Sequence, residues 1–329
     1  MTGGFGTARL PTGRRLGGRL LVGLAIIALA LVFLALPHAL KPYYLGLATK
    51  MLIFALFAMS LDLLMGYGGL PSLGHAAYFG VASYAVALLL LKAGVPGAMA
   101  FVASLLVAVA TGAVLGALSL RARGSYFLMI TFALAQVLWA VAFGWRTMTN
   151  GDDGMPNVPR PHFLWSLDTT AGFYYFVLAA FFVATLLLVA IVRSPFGKAL
   201  KGIRESESRM EALGYNVWLH HYVAFVLSAT FAGLAGTLYA YFNRFVGPEY
   251  LYVIQSAEGL IMVILGGAGT LVGPAIGAAL IVYLEDFVSS MTEHWVLVLG
   301  VIYVLTTLFA PHGLVGLWVA WRQRRAESP

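Results

Sequence analysis

The chain has 329 residues, 61% of them apolar and only 10% charged, with a formal net charge of +7. A soluble domain carries about a quarter charged residues and a membrane-crossing helix needs about 20 mostly apolar ones. These proportions exclude a soluble enzyme on a single anchor, a disordered chain and a nucleic-acid module. The lack of cysteine excludes a disulfide framework, a cysteine nucleophile and any metal site built on thiolates.

Arg9, Arg14, Arg15 and Arg19 precede the first apolar run, Leu20–Pro37. That run exceeds the 7–15-residue core of a secretory signal, so it is read as a span and not as a cleaved leader. Further runs follow at about Tyr44 to Met65, Ala76–Leu91, Pro96–Leu120, Ser125–Trp145 and Ala171–Val192. The last four are Tyr222–Asn243, about Tyr250 to Leu265, Pro274–Leu284 with its continuation, and Trp295–Ala310. Stretches such as Phe181–Val192 are apolar on all sides, whereas barrel strands alternate apolar and polar residues. The expected fold class is therefore all-α, a polytopic integral membrane protein of about ten transmembrane helices.

Lys and Arg are retained on the cytoplasmic side of a membrane. Arg121 and Arg123 follow the fourth span, Arg193, Lys198, Lys201, Arg204 and Arg209 the sixth, and Arg322, Arg324 and Arg325 the last. With ten spans, these clusters and the N-terminal one share a face, leaving Lys41, Lys50, Lys92, Arg146, Arg160 and Arg244 for the other. The expected organisation is a basic cytoplasmic tail at 1–19, a transmembrane unit at 20–318, and a basic cytoplasmic tail at 319–329.

Two soluble segments differ in kind. Arg146–Thr170, with Asn150, Asp152, Asp153 and several prolines, has the turn chemistry of an outer loop. Arg193–Tyr222 lies inside and has a helix-forming middle. There Leu200, Ile203, Met210 and Leu213 make one apolar stripe beside Arg204, Glu205, Glu207 and Arg209. Ser194–Pro195 resembles a helix start and Gly214 a helix stop.

Two glycine clusters interrupt the spans: Gly66, Gly68, Gly69, Pro71 and Gly74, and then Gly266, Gly267, Gly269, Gly273 and Pro274. Regular helix does not pass such clusters comfortably, and the freed backbone groups must be buried in protein or face a watered cavity. Each break follows a helix running inward and precedes one running outward, so the two form a parallel pseudo-repeat. Paired interruptions of this kind point to a solute pathway; the plainer reading is a tight turn between packed helices. Gly112-x-x-x-Gly116 and Gly273-x-x-x-Gly277 permit close helix contact.

Charges within spans call for a role. Asp62 stands one helical turn before the first cluster, and Glu258 about eight residues into its span, roughly 12 Å at the helical rise. Either is a pathway or gate residue, or Glu258 locks the broken helix by hydrogen bonding and Asp62 is a cap or ion-pair partner near the inner surface. Glu285 and Asp286 are read as interfacial. His75 has no second ligand at metal spacing, and the adjacent His220 and His221 point apart on a helix, so no metal site is expected. No phosphate-binding loop is present: around Gly197–Lys198, Val192 replaces the first glycine and Ala199 the hydroxyl residue. If the chain pumps, the energy comes from another chain.

Three long motifs carry a family resemblance. Ser60–Gly80 (SLDLLMGYGGLPSLGHAAYFG) resembles the first signature of the LivM-type permease subunit of branched-chain amino-acid ABC transporters. Arg193–Glu205 (RSPFGKALKGIRE), continuing through Glu211–Gly214, resembles the cytoplasmic coupling loop of that family, and Glu258–Pro274 (EGLIMVILGGAGTLVGP) its third signature. Asp62 departs from the asparagine expected there. The resemblance implies a non-catalytic subunit of an inner-membrane importer, without a cofactor of its own. Its implied partners are a second, LivH-like permease, two cytoplasmic ATPase subunits that use ATP and Mg, and a periplasmic solute-binding protein. Leu, Ile or Val is the default solute, although related permeases move urea, other amino acids and small carboxylates.

The expected pathway residues are then Asp62, Gly66, Gly68, Gly69, Pro71, Gly74, His75, Glu258, Gly266, Gly267, Gly269, Gly273 and Pro274. The expected ATPase-coupling residues are Lys198, Lys201, Ile203, Arg204, Glu205, Met210, Glu211, Leu213 and Gly214. A self-contained secondary transporter, which also uses broken helices, is the alternative. A membrane-embedded enzyme fits poorly, because no nucleophile, base and orienting group assemble from nearby positions.

Overall fold

The computed structural model describes residues 32–161 and 167–292, together with residues 294, 297, 298, 300, 301, 304 and 313. Residues 32–39 are helical. They are followed by α1 (Pro42–Asp62), α2 (His75–Leu91), α3 (Gly97–Ser119), α4 (Ser125–Gly144), the short α5 (Arg146–Thr149) and α6 (Thr170–Arg193). Two short helices, α7 (Pro195–Glu205) and α8 (Glu207–Ala212), lead to α9 (Val217–Asn243), α10 (Val253–Gly266) and α11 (Val272–Ser289). Among the described residues, six helices are long and apolar enough to cross a membrane, and α2 and α10 are shorter apolar helices. The expected spans Leu20–Pro37 and Trp295–Ala310, both tails and their basic clusters lie wholly or largely outside the described residues.

Burial separates the helices into two classes. In α1 with its extension to Tyr67, 78% of the membrane-length window is buried, and in α9 67%, against 33% or less in the other long helices. These two form the centre, with α2, α3 and α10 around them and the mostly exposed α4, α6 and α11 outside. Close approach comes from small residues, as expected where lipid and core are equally apolar. Gly112 of α3 faces Ala229 and Gly116 faces Phe225, so this glycine pair makes the helix contact its spacing permits. Gly236 of α9 lies against the Phe79 carbonyl, and the Ser83 hydroxyl bonds the carbonyls of Phe79 and Gly236, each at 2.8 Å.

The two faces of the bundle are distinct. At one, Arg123 lies 4.0 Å from both Glu207 and Glu211, which brings the 120–124 turn to the α7–α8 segment. At the far face, Met155–Pro156 pairs antiparallel with Phe245–Val246, closing the Arg146–Thr170 loop onto the end of α9. Arg160 staples that loop by donating to the carbonyls of Tyr241, Leu167 and Asp168 at 3.3, 3.0 and 3.2 Å, with its guanidinium 4.3 Å from the Phe173 ring centre. Burial and the neighbouring Arg244 draw its pKa below the ordinary guanidinium value. Lys92 donates to the Thr147 carbonyl on the same face. Arg123 and the α7–α8 segment thus lie at one end of the bundle, and Lys92, Arg160 and Arg244 at the other.

Two expectations change in detail. The single helix expected over Lys198–Gly214 is broken at Ser206, whose backbone is extended (φ −163°) and whose hydroxyl accepts from Arg209 N at 3.4 Å, capping α8. The apolar stripe divides with it: Leu200 and Ile203 are buried, Met210 folds onto Gly202, and Leu213 is 67% exposed. The helix expected from Tyr222 begins at Val217, because Asn216 caps it by accepting from Leu219 N at 3.0 Å.

Candidate functional site

α1 does not stop at Asp62. It widens into a π-helical turn, Leu63–Tyr67, and then breaks; such turns occur preferentially at functional positions. α10 ends at Gly266, and Gly267 (φ 108°) and Gly269 (φ 84°) turn the chain into α11. The two breaks meet. A Cβ on Gly66 would strike both the Asp62 carboxylate and the Gly269 nitrogen, so glycine at 66 is a condition of this contact.

Asp62 joins the breaks. Fully buried, it accepts from Gly269 N at 2.6 Å through Oδ1 and from Leu271 N at 3.0 Å through Oδ2. Leu271 has φ 58°, a left-handed conformation that costs a branched side chain energy. The carboxylate therefore holds a strained turn that belongs to the other half of the chain. Thr270 completes the turn, with its hydroxyl donating to the Gly267 carbonyl at 2.8 Å and accepting from Gly273 N at 3.0 Å.

The α7–α8 segment reaches this junction directly. The Arg204 guanidinium donates to the Gly66 carbonyl, and its side chain packs against Gly69 (φ 74°) and beside Gly269. Lys201, one turn earlier, sits with Nζ 4.8 Å from the Tyr67 ring centre. α7 is positioned for this by Ser194, whose hydroxyl accepts from Gly197 N at 3.4 Å, by Pro195 in its first turn, and by burial of Ala199, Leu200 and Ile203. The opposite side of the segment stays exposed, including Lys198, Glu205, Glu211 and Gly214.

The remaining sequence-predicted residues support the turns. His75 is fully buried, with Nε2 2.8 Å from the Ser60 hydroxyl and the rings of Phe57 and Tyr78 around it. Ser256 of α10 accepts from Ala76 N at 2.8 Å, satisfying a free donor at the start of α2. Gly74 lies against the Thr131 carbonyl, and Gly68 over the Leu64 carbonyl of its own turn. Gly266 meets the Gly273 carbonyl and Gly277 the Met262 carbonyl, so α10 and α11 pack backbone to backbone. Pro71 precedes the buried Ser72, whose hydroxyl accepts from Gly74 N at 3.2 Å, and Pro274 is buried in the first turn of α11. Among the described residues no cluster of His, Asp or Glu is arranged to hold a metal.

Glu258 stands apart. It lies two turns from Gly266, roughly 12 Å along the helix, and receives a hydrogen bond from Gln255 of its own helix at 3.2 Å. With Tyr239, Asn243, Glu249 and Tyr250 it lines a cavity of about 750 Å3 toward the far face. The sequence reading missed the ion pair at the same depth, in which Lys50 of α1 lies 3.0 Å from Glu285 of α11. Its signal was a lone lysine inside an apolar run, which needs an anion. Asp286, next to it, accepts from the Tyr43 hydroxyl at 2.6 Å.

The arrangement is a pair of broken helices, cross-bonded to each other through Asp62 and contacted by the soluble helix α7 through Arg204. Comparison with known proteins places the chain in a family. Residues 43–307 match the family described as branched-chain amino acid transport system / permease component. The chain is 30% identical over 294 residues to the "High-affinity branched-chain amino acid transport system permease protein LivM" of Salmonella typhimurium, covering 82% of this chain and 69% of that protein. The LivM of Escherichia coli gives the same identity and coverage. A "Probable branched-chain amino acid transport permease protein LivH" of Methanocaldococcus jannaschii is 28% identical over 165 residues, 46% of this chain and 51% of that one. No solved structure matches the chain. With most of its length matched, broken helices included, the chain belongs to the permease-component family of branched-chain amino acid transport systems.

Proposed function

We propose that this chain is the transmembrane permease subunit of an ATP-driven importer for branched-chain amino acids, seated in the inner membrane with both termini in the cytoplasm. The chain itself catalyses nothing and holds no cofactor. Two cytoplasmic ATPase subunits use ATP and Mg, a LivH-like permease shares the pathway, and a periplasmic solute-binding protein delivers the solute. Residues 20–318 form the transmembrane unit between the basic tails 1–19 and 319–329, with 193–222 toward the ATPases.

One observation carries this reading: Arg204, on a short soluble helix with an exposed charged side, bonds the carbonyl of Gly66 in the first break. A displacement of α7 by a bound partner moves that carbonyl, and Asp62 passes the movement to Gly269 and Leu271 in the second break. The two breaks then act as a positional repeat around the pathway, and switching its access requires that ATP-bound and ATP-free partners favour different states.

The test is reconstitution of the assembled transporter. Arg204→Ala is expected to keep the ATPases bound while L-leucine uptake falls about tenfold, the scale of one charge-assisted hydrogen bond. Arg204→Glu combined with Met210→Asp is expected to lose both ATPase co-purification and uptake. Intact uptake in the double variant removes the coupling assignment, and ion-driven uptake by the chain alone makes it a secondary transporter instead.

A further inference from the structure

The cavity beneath the far face has a lining that selects for charge. Glu249 and Glu258 contribute carboxylates, Gln255 and Asn243 amides, and Tyr239 and Tyr250 aromatic rings, while none of the described residues that line it is Lys or Arg. Its volume of about 750 Å3 falls within the roughly 300–1,000 Å3 of small-molecule sites.

Glu258 is half-buried in α10, and its hydrogen bond comes from the neutral Gln255. Lys50 lies within Coulombic reach, but Glu285 already engages it at 3.0 Å. Two carboxyl groups thus share one lysine inside the bundle, and the one that Lys50 does not hold opens onto the cavity, where a cation can reach it. A buried hydroxyl lies behind two of the lining residues. The Tyr84 hydroxyl, in a residue only 5% exposed, has no hydrogen-bond partner among the described residues and is within Coulombic reach of Glu249 and Tyr250. The described residues lack the clustered ligands a metal ion requires, and aromatic rings favour an organic cation with an apolar body.

We infer that this cavity is a subsite for the ammonium end of an amino-acid solute, with Glu258 as its counter-ion and Tyr239 and Tyr250 beside its aliphatic part. The inference rests on the permease reading above and adds to it the side chain that reads the solute's positive charge.

Because the chain has no cysteine, Ile254→Cys, at a position that lines the cavity and is 57% exposed, gives a label site unique within this chain, and the labelled chain is read separately from its partners by gel. The assembled transporter carrying it is reconstituted without the solute-binding protein. Its labelling by an impermeant maleimide is followed with isopentylamine (ammonium, no carboxylate), L-leucine (both) or 4-methylpentanoate (carboxylate, no ammonium). Isopentylamine and L-leucine are expected to slow labelling, and 4-methylpentanoate not. Adding Glu258→Gln is expected to raise the protecting concentration of isopentylamine about tenfold or more, as loss of a charge-assisted hydrogen bond does; Glu258→Asp keeps the preference for the amine. Equal protection by 4-methylpentanoate, protection unchanged in Glu258→Gln, or no protection by the amines overturns the assignment. The three-probe comparison needs no change at 258, so poor folding of a variant does not blunt it. ATP-driven L-leucine uptake with the solute-binding protein restored separates the two readings: uptake without amine protection removes the subsite alone, and amine protection without uptake removes the importer reading alone.

Discussion

At the scale of single residues, the carboxylate of Asp62 matters because it has two oxygens and uses both. An asparagine there offers one acceptor and turns an NH2 toward the other backbone donor. Asp62→Asn therefore leaves Gly269 N or Leu271 N unsatisfied, at about 1–3 kcal/mol, and Asp62→Ala leaves both. Thermal unfolding of the purified chain should rank wild type above Asn above Ala, and coincident midpoints would show that the bonds contribute nothing. The sequence made Asp62 visible as a charge in a span, and one of its two readings, a cap, is close to what is found. The capped groups lie 207 and 209 residues away, which no local pattern reveals. Glu258 was visible for the same reason, but its distance from the glycine junction was not, since a helix position fixes depth without fixing which neighbour stands there.

At the scale of elements, the glycines divide by what surrounds them. Gly277 has the Met262 carbonyl where a Cβ would go, and Gly46 has open space. Gly277→Ala is expected to lower stability by about 1–3 kcal/mol through forced separation of α10 and α11. Gly46→Ala, in the interior of α1, is expected to raise it by about 0.5–1 kcal/mol through the helix propensity of alanine. Melting of both variants in detergent checks the pair, and equal shifts would contradict the packing described. The positions of the breaks were legible because glycine and proline act locally. The division of the soluble helix was not: the stripe runs from Ile203 to Met210 in one seven-residue step, and Ser206 turns the chain inside that gap. A period of seven reads the same whether the helix continues or restarts.

At the scale of the whole molecule, the two ends of the bundle have different chemistry, with Arg123 set against Glu207 and Glu211 at one and Arg160 and Arg244 beside Asp168 at the other. What hydropathy does not announce is which helices occupy the centre, because a side chain facing lipid and one facing another helix are equally apolar. α1 and α9 stand out afterwards by their small and polar residues: Ser60, Asp62, Ser228, Gly233 and Gly236 are all buried. Single cysteines give a direct check of the faces. Ser208→Cys and Asp153→Cys, both at exposed positions, are expected to react with an impermeant reagent from opposite sides of the membrane, Ser208→Cys only in inside-out vesicles. Labelling of both from one side would rule out the assigned crossing pattern.

In the proposed importer, Asp62 also sets the manner of switching. One buried side chain serves both interruptions, so neither can rearrange while the other rests. Pulling them apart strands two donors where solvent does not enter, at about 1–3 kcal/mol apiece, and frees a left-handed leucine to relax. A half-opened form therefore lies uphill of the state described here. In an importer built on this junction, gating snaps between alternatives, and the same property that makes it abrupt keeps the membrane from leaking in between.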